Sequence, residues 1–273
     1  MKTLAVLLAV CAPLAAQKTT VYVITDAEGV AGICRQDQTD NKNPELRQLL
    51  TAEVNAAADG FFTGGAEEVI IWDGHGGSAT LSAATIYPRA RLVIGDPGPT
   101  MLFERRFSAL AFVGQHARAN TSAAVMAHSY SSLGYQYFLI NGKPAGEIEA
   151  MAALAGEFGT PVIFLSGDRA AVADLRAIVP GAETAEVKEG LSYYACVTLS
   201  GPAARDAIQL AAQRAMKKIG IVRPYRIPGP VTIQVERTTR STLPPGAGDQ
   251  VDARTTRYTG KDFTEAWRRY RGR

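Results

Sequence analysis

The sequence predicts an α/β protein: a mostly parallel central sheet flanked by helices, with a smaller C-terminal α+β element. Three observations predict it. Short apolar runs, such as Val21-Tyr22-Val23-Ile24 and Ile70-Ile71-Trp72, are followed by small or glycine-rich segments, as buried strands are. Helical patterns alternate with these runs, which argues for parallel strands joined by covering helices. All three histidines of the chain stand in segments that follow predicted strands. In open α/β sheets that is where ligands gather.

The elements follow in order. Lys2 precedes an apolar stretch that runs from Leu4 and closes in Ala15-Ala16, the layout of a secretory signal peptide. Residues 1–16 are therefore expected to be removed, leaving a periplasmic or extracellular protein. The stretch is too short for an ordinary transmembrane span. No other apolar stretch is long enough to cross a bilayer, so no stable membrane insertion is expected once the leader is gone. The first strand is expected from Thr20 to Thr25. Leu46, Leu49, Leu50, Val54, Ala57, Ala58 and Phe61 recur at three- and four-residue steps and predict a helix, stopped by Gly64-Gly65. Strands are expected from Glu68 to Trp72, Arg91 to Ile94, Ala109 to Val113 and Tyr137 to Ile140. Asn141-Gly142 is a turn signal. A helix from Gly146 to Phe158, a strand from Pro161 to Leu165 and a helix capped by Asp168 come next. Glu183 to Lys188 and Tyr193 to Leu199 read as extra, antiparallel strands. Ser200 caps a helix with Pro202 near its start, expected to run to Ile219. Pro224 to Pro230 is the best linker, dividing a main domain, 17–222, from a small element, 223–273. That element holds strands from Val231 to Glu236 and near Asp252 to Tyr258, then a short helix carrying Phe263, Trp267 and Tyr270.

Composition excludes some classes. The 273 residues carry a net charge of only +3, and much of the excess lies in the tail from Trp267 to Arg273. No basic stripe with interleaved aromatics appears elsewhere, so no nucleic-acid partner is expected. Cys34 and Cys196 remain after the leader. Export permits a disulfide between them, but their spacing does not prove one. Neither belongs to a close-spaced Cys/His cluster, so neither reads as a metal ligand.

The chemistry lies in strand-end residues. Asp26 and Glu28 form Asp-x-Glu; on an extended segment, residues two apart point the same way. His75 lies among glycines in Asp73-Gly74-His75-Gly76-Gly77. His116 follows the run ending in Val113-Gly114-Gln115, and His128 lies in the small-residue segment Val125-Met126-Ala127-His128-Ser129. Glu147 opens a predicted helix, where a carboxylate is favourable in any case. Carboxylates and imidazoles delivered together make a first shell for a transition metal, zinc above all. Two further residues have alternative readings. Arg118 receives a substrate carboxylate or makes a surface ion pair. Asp73 orients His75 or points away from it.

Thr25-Asp26-Ala27-Glu28-Gly29-Val30-Ala31-Gly32, Asp73-Gly74-His75, Gly114-Gln115-His116-Ala117, Met126-Ala127-His128-Ser129 and Asn141-Gly142-Lys143-Pro144-Ala145-Gly146-Glu147 occur in that order. The ordered set resembles the zinc-dependent D-aminopeptidases of the dipeptide-transport operon, a self-compartmentalising metallopeptidase family. The resemblance implies a two-zinc site. Asp26 falls on the position bridging both metals, Glu28 and His116 on ligands of one, His75 and Glu147 on ligands of the other. His128 falls on the catalytic histidine, nucleophile or acid/base. The resemblance also implies a homo-oligomer, in that family a decamer of stacked rings. The function expected is that of an exported two-zinc aminopeptidase acting on short peptides, D-alanyl peptides foremost. The alternatives are a two-metal hydrolase of another bond, a phosphoester or non-peptide amide, and an exported metal-containing binding protein.

Overall fold

The computed structural model describes residues 18–242 and 248–272; the expected leader lies outside them. Seven strands form the main sheet: β1 (Thr20–Thr25), β2 (Glu68–Trp72), β3 (Arg91–Val93), β4 (Ala109–Gln115), β7 (Val162–Asp168), β8 (Glu183–Ser192) and β9 (Ala195–Thr198). Their order is β3-β2-β1-β4-β7-β8-β9. Every pairing is parallel except β8 with β9. The expected α/β class is the one observed.

Parallel strands covered on both faces are apolar throughout, and the side chains divide by parity. Val21 and Val23 of β1 join the core beneath α1 (Pro44–Thr63) and α4 (Gly201–Ala215). Tyr22 and Ile24 join the opposite core, with α2 (Glu147–Glu157) and α3 (Arg169–Ile178). The helices start where capping side chains stand. Asn43 accepts from Glu45 N ahead of α1, Asp168 from Ala171 N ahead of α3, and Ser200 from Ala203 N ahead of α4. The last ends at Ala215 and passes into a short 3₁₀ turn, Met216–Lys218, rather than continuing to Ile219.

A second, antiparallel sheet covers part of the second core. It contains β5 (Tyr135–Ile140), β6 (Lys143–Pro144), β10 (Val231–Arg237), β11 (Asp249–Gln250) and β12 (Thr255–Gly260), in the order β11-β12-β10-β5-β6. The strand expected near Tyr137 therefore lies here and not in the parallel sheet. The Asn141-Gly142 turn folds β6 straight back on β5, and a parallel pairing would have needed a crossover instead. The C-terminal segment thus completes a sheet whose other edge comes from mid-chain. The polar strand expected from Asp252 begins later, at Thr255, because the Asp252 carboxylate accepts from Arg254 N and Thr255 N and holds a turn. α5 (Phe263–Arg271) closes the chain, with Phe263 and Trp267 buried. Among the described residues, no helix is long and apolar enough to cross a membrane.

From β1 the chain builds β2 and β3 on one side, then crosses to β4 on the other. The crevice at the carboxyl ends of β1 and β4 is the switch point where open sheets bind ligands.

Glu53 on α1 is buried behind this crevice. One carboxylate oxygen accepts from Ala31 N at 2.8 Å and the other has no hydrogen-bond partner. Burial pushes its carboxyl up to about 7. The folded chain thus holds this proton more tightly than the unfolded one. Stability from this group is full below its ordinary value of 4.5 and is lost as pH rises through about 7. Glu53→Gln is expected to raise the melting temperature of metal-free protein by several degrees at pH 8 and to leave it near wild type at pH 4.5. Equal shifts at both pH values would contradict this.

Candidate metal centre

The six candidate residues converge on one crevice. Asp26 and Glu28 follow β1, His75 follows β2, His116 follows β4, and Glu147 is the first residue of α2. His128 comes from the loop between β4 and β5. The reason Asp26 and Glu28 meet differs from the one expected, because the chain leaves the extended conformation at Asp26 and turns at Glu28. A curled loop brings them together, not the alternation of a strand. That loop lies against β4: Asp26 N donates to Val113 O at 2.9 Å and Gly29 N to Gly114 O at 2.8 Å. A Cβ on Gly29 would sit 2.0 Å from Gln115 O, so only glycine fits. Gly114 itself has φ +76°, and a Cβ there would press on Asp26 O.

Two groups of three side chains result, each with its ligand atoms within 4.8 Å of one another: Asp26, Glu28 and His75, and His116, His128 and Glu147. Asp26 faces both. Its Oδ1 is 3.1 Å from His75 Nδ1 and its Oδ2 is 3.3 Å from His116 Nε2. Glu28 Oε2 stands 3.4 Å from His75 Nδ1, and Glu147 Oε1 3.8 Å from His116 Nε2. The resemblance pairs Glu28 with His116 and His75 with Glu147, whereas the geometry groups Glu28 with His75 and His116 with Glu147.

Each imidazole has one nitrogen tied to the backbone. His75 Nε2 is 2.7 Å from Thr39 O, His116 Nδ1 2.9 Å from Ala117 O, and His128 Nδ1 2.7 Å from Met126 O. A carbonyl can only accept, so those nitrogens carry the hydrogen. The lone pairs are then on His75 Nδ1, His116 Nε2 and His128 Nε2. The first two face carboxylates. Lone pair against carboxylate is repulsive unless a cation lies between them. Glu28 Oε2 and His116 Nε2 are buried with no hydrogen-bond partner. The imidazoles of His75 and His116 and three carboxylates, with unspent acceptor atoms among them, fit a zinc-type ion.

The electrostatics agree. Burial works against a charged His75, yet Asp26 and Glu28 outweigh it and push the imidazole up to about 11. Burial likewise opposes a charge on His116, and Asp26 and Glu147 overcome it, raising that imidazole well above the ordinary histidine value. Burial also opposes the Asp26 anion, but His116 and His75 hold its carboxyl well below the usual carboxylate range. Burial raises Glu147 in spite of His116 and His128. The facing carboxylates thus favour positive charge in the crevice.

The site opens into a cavity of about 980 Å³. Tyr130, Trp267 and Arg271 line it beside His128 and Glu147. Sequence reasoning missed these three. Trp267 and Arg271 lie far along the chain and arrive on α5, so no spacing could associate them with the ligands. Arg118 lies in ion pairs with Asp174 and Glu149, the plainer of its two readings. Arg271 is the only lysine or arginine lining the cavity among the described residues, and it also pairs with Asp96 at 3.0 Å. Asp73 does not hold the His75 ring. Its Oδ2 accepts from Thr80 N and Leu81 N and shapes the glycine-rich loop. Cys34 and Cys196 form a disulfide, linking the ligand loop to β9.

Tautomer-fixed imidazoles and buried carboxylates at the switch point of an open sheet define a metal-dependent enzyme. The sequence profile described as D-aminopeptidase matches residues 20–271, and the chain belongs to that peptidase family. It is 30% identical over 258 residues to a D-aminopeptidase of Bacillus subtilis (strain 168), covering 90% of this chain and 93% of that protein. Among solved structures it is similar to a Zn-dependent D-aminopeptidase of Bacillus subtilis, DppA, described as a self-compartmentalizing protease. The TM-score is 0.83 at 28% identity, over 92% of this chain and 94% of that one.

Because Asp26 faces both groups, Asp26→Ala is expected to weaken all divalent-metal binding by roughly 100-fold or more. Glu28→Ala is expected to weaken only part of it. Calorimetric zinc titration would show two affected classes of site in the first variant and one in the second. Identical isotherms for the two would refute the shared role of Asp26.

Proposed function

We propose that this protein is an exported, two-zinc D-aminopeptidase that removes the N-terminal residue from short peptides, D-alanyl peptides foremost. One observation carries the reading: Asp26 presents its two oxygens to two separate groups of metal-ligating side chains. Family membership and the zinc dependence of the Bacillus subtilis structure support it. Asp26, Glu28, His75, His116 and Glu147 hold the metals. Zinc there supplies Lewis acidity, polarising the scissile carbonyl and making water a nucleophile near neutral pH.

The chain's own groups do the rest. His128, anchored through Nδ1 on Met126 O, keeps Nε2 for acid/base work. It takes the proton of the attacking water and returns it to the leaving nitrogen. Its ring stacks on His116, centroids 4.0 Å apart, which restricts its swing. A carboxylate-rich crevice favours a free amine. Arg271, the lining cation, suits the carboxylate of a short peptide's other end. The cavity is of the size that encloses small ligands.

Export rests on the leader and on the disulfide, which forms and persists in oxidising compartments. Assembly into a closed oligomer, a decamer in the full reading, rests on the self-compartmentalizing relative.

Zinc-loaded protein is expected to hydrolyse D-Ala-D-Ala faster than its L counterpart and faster than the carboxamide-blocked peptide. His128→Ala is expected to keep its zinc and to lose about 10²- to 10⁴-fold in kcat. Equal turnover of D and L peptides, or phosphoesters turned over in their place, would reject the substrate. Loss of zinc with His128 would reject its role. Mass spectrometry of protein recovered outside the cell is expected to give a chain starting near Gln17, two hydrogens lighter for the disulfide, and a native mass of many subunits. An intact leader or a monomer would overturn export or assembly respectively.

A further inference from the structure

Lys188 is a buried cation that the chemistry above does not use. It lies in β8, 3% exposed. Its Nζ donates to three backbone carbonyls, Glu28 O, Val30 O at 2.9 Å and Ile33 O. An ammonium has three hydrogens, and all three go to one stretch of chain, the loop that carries Asp26 and Glu28. These bonds come from β8, more than 150 residues further along the sequence.

Beside Lys188 in the register of the main sheet stands Asp168, the last residue of β7. It is fully buried. Its Oδ1 caps α3 at Ala171 N, 2.7 Å away, and its Oδ2 accepts from Val125 N at 3.2 Å. Val125 opens the segment that leads to His128. The carboxylate of Asp168 is also the foremost charge favouring the Lys188 ammonium. Two opposite charges thus stand on neighbouring strands of the main sheet. Each grips the backbone of a different part of the site.

We infer that Lys188 and Asp168 form a positioning pair. The lysine sets the loop that presents Asp26 and Glu28 to the metals, and the aspartate sets the segment that presents His128 to the substrate. The inference rests on the two-metal reading of the site and extends it to residues that touch neither metal nor substrate. Backbone carbonyls are fixed dipoles, so three of them held on one ammonium restrain the loop more tightly than any single bond. Rigid support of this kind sets how well ligands match a metal. The pair also divides the work: one member bears on metal affinity, the other on proton transfer.

The test uses Lys188→Met, which keeps the stem and removes the ammonium, and Asp168→Asn, which keeps an acceptor and removes the charge. Wild-type zinc binding is measured first. If wild type binds no zinc, the metal reading fails on its own, and amide exchange in metal-free protein still decides the pair. Lys188→Met is expected to bind zinc roughly tenfold or more weakly and to change the visible spectrum of the Co²⁺-substituted site. Its amides between residues 28 and 33 are expected to exchange faster while the helices keep their protection. Asp168→Asn is expected to keep wild-type zinc affinity and KM and to lose kcat. Unchanged zinc affinity and Co²⁺ spectrum in Lys188→Met would overturn the inference, as would exchange that rises evenly through the whole chain. Should Lys188→Met fail to fold, wild type decides. The slowly exchanging Lys188 ammonium resonance is expected to shift when zinc is added, and a resonance that ignores zinc would equally overturn the pair.

Discussion

The chain leaving β1 passes so near the end of β4 that no side chain fits between them. Gly29 rests on the Gln115 backbone, and Gly114 beneath Asp26. With the chains in contact, Asp26 N and Gly29 N bond directly to β4, and the carboxylates of one strand end lie within reach of the imidazole of the next. The two ligand groups, the shared position of Asp26 and the burial of Glu28 all follow from this contact. A single methyl group at Gly29 would force the loop away and separate the two halves of the site.

The same crowding creates an electrostatic problem with a chemical answer. Burial by itself makes carboxylate anions and imidazolium cations costly. Here the two kinds of group face each other, Asp26 against both His75 and His116, and each offsets the cost of the other. Backbone carbonyls at Thr39, Ala117 and Met126 fix which nitrogen keeps its hydrogen, so the remaining lone pairs already point the right way. A divalent ion bound there would take the place of protons on these atoms.

Much of this was legible in the sequence, for reasons that can be stated residue by residue. Val21 to Ile24 and Ala109 to Val113 are apolar on both faces, as strands of a sheet covered on both sides are, and the alternation with helical patterns pointed to parallel pairing. Asp26, Glu28, His75, His116 and Glu147 could be found because each lies close in sequence to the end or start of an element, and His128 because its segment belongs to the ordered set of motifs. The grouping of Glu28 with His75 could not be read, because it depends on a loop that curls where alternation predicts an extended chain. Nor could the membership of Tyr135 to Ile140 in the smaller sheet, since a short apolar run does not say which sheet it will join. Trp267 and Arg271 were hidden for a related reason: their place beside His128 is made by tertiary contacts of α5. Lys188 carried no signal at all, for a lysine in a predicted strand reads as solvent-facing until its three carbonyl partners are seen.

The smaller sheet also sets an order of events. Among the described residues β6 pairs only with β5, and β5 pairs on its other side with β10, which lies after residue 230. Glu147 stands just beyond β6, and the cavity wall contributed by Trp267 comes later still. A chain emerging from the ribosome therefore presents all the candidate metal ligands well before β10, with which β5 pairs, has been made. Competence therefore waits on a stretch of polypeptide made long after Asp26 and His75, because α5 supplies the Trp267 and Arg271 wall of the cavity.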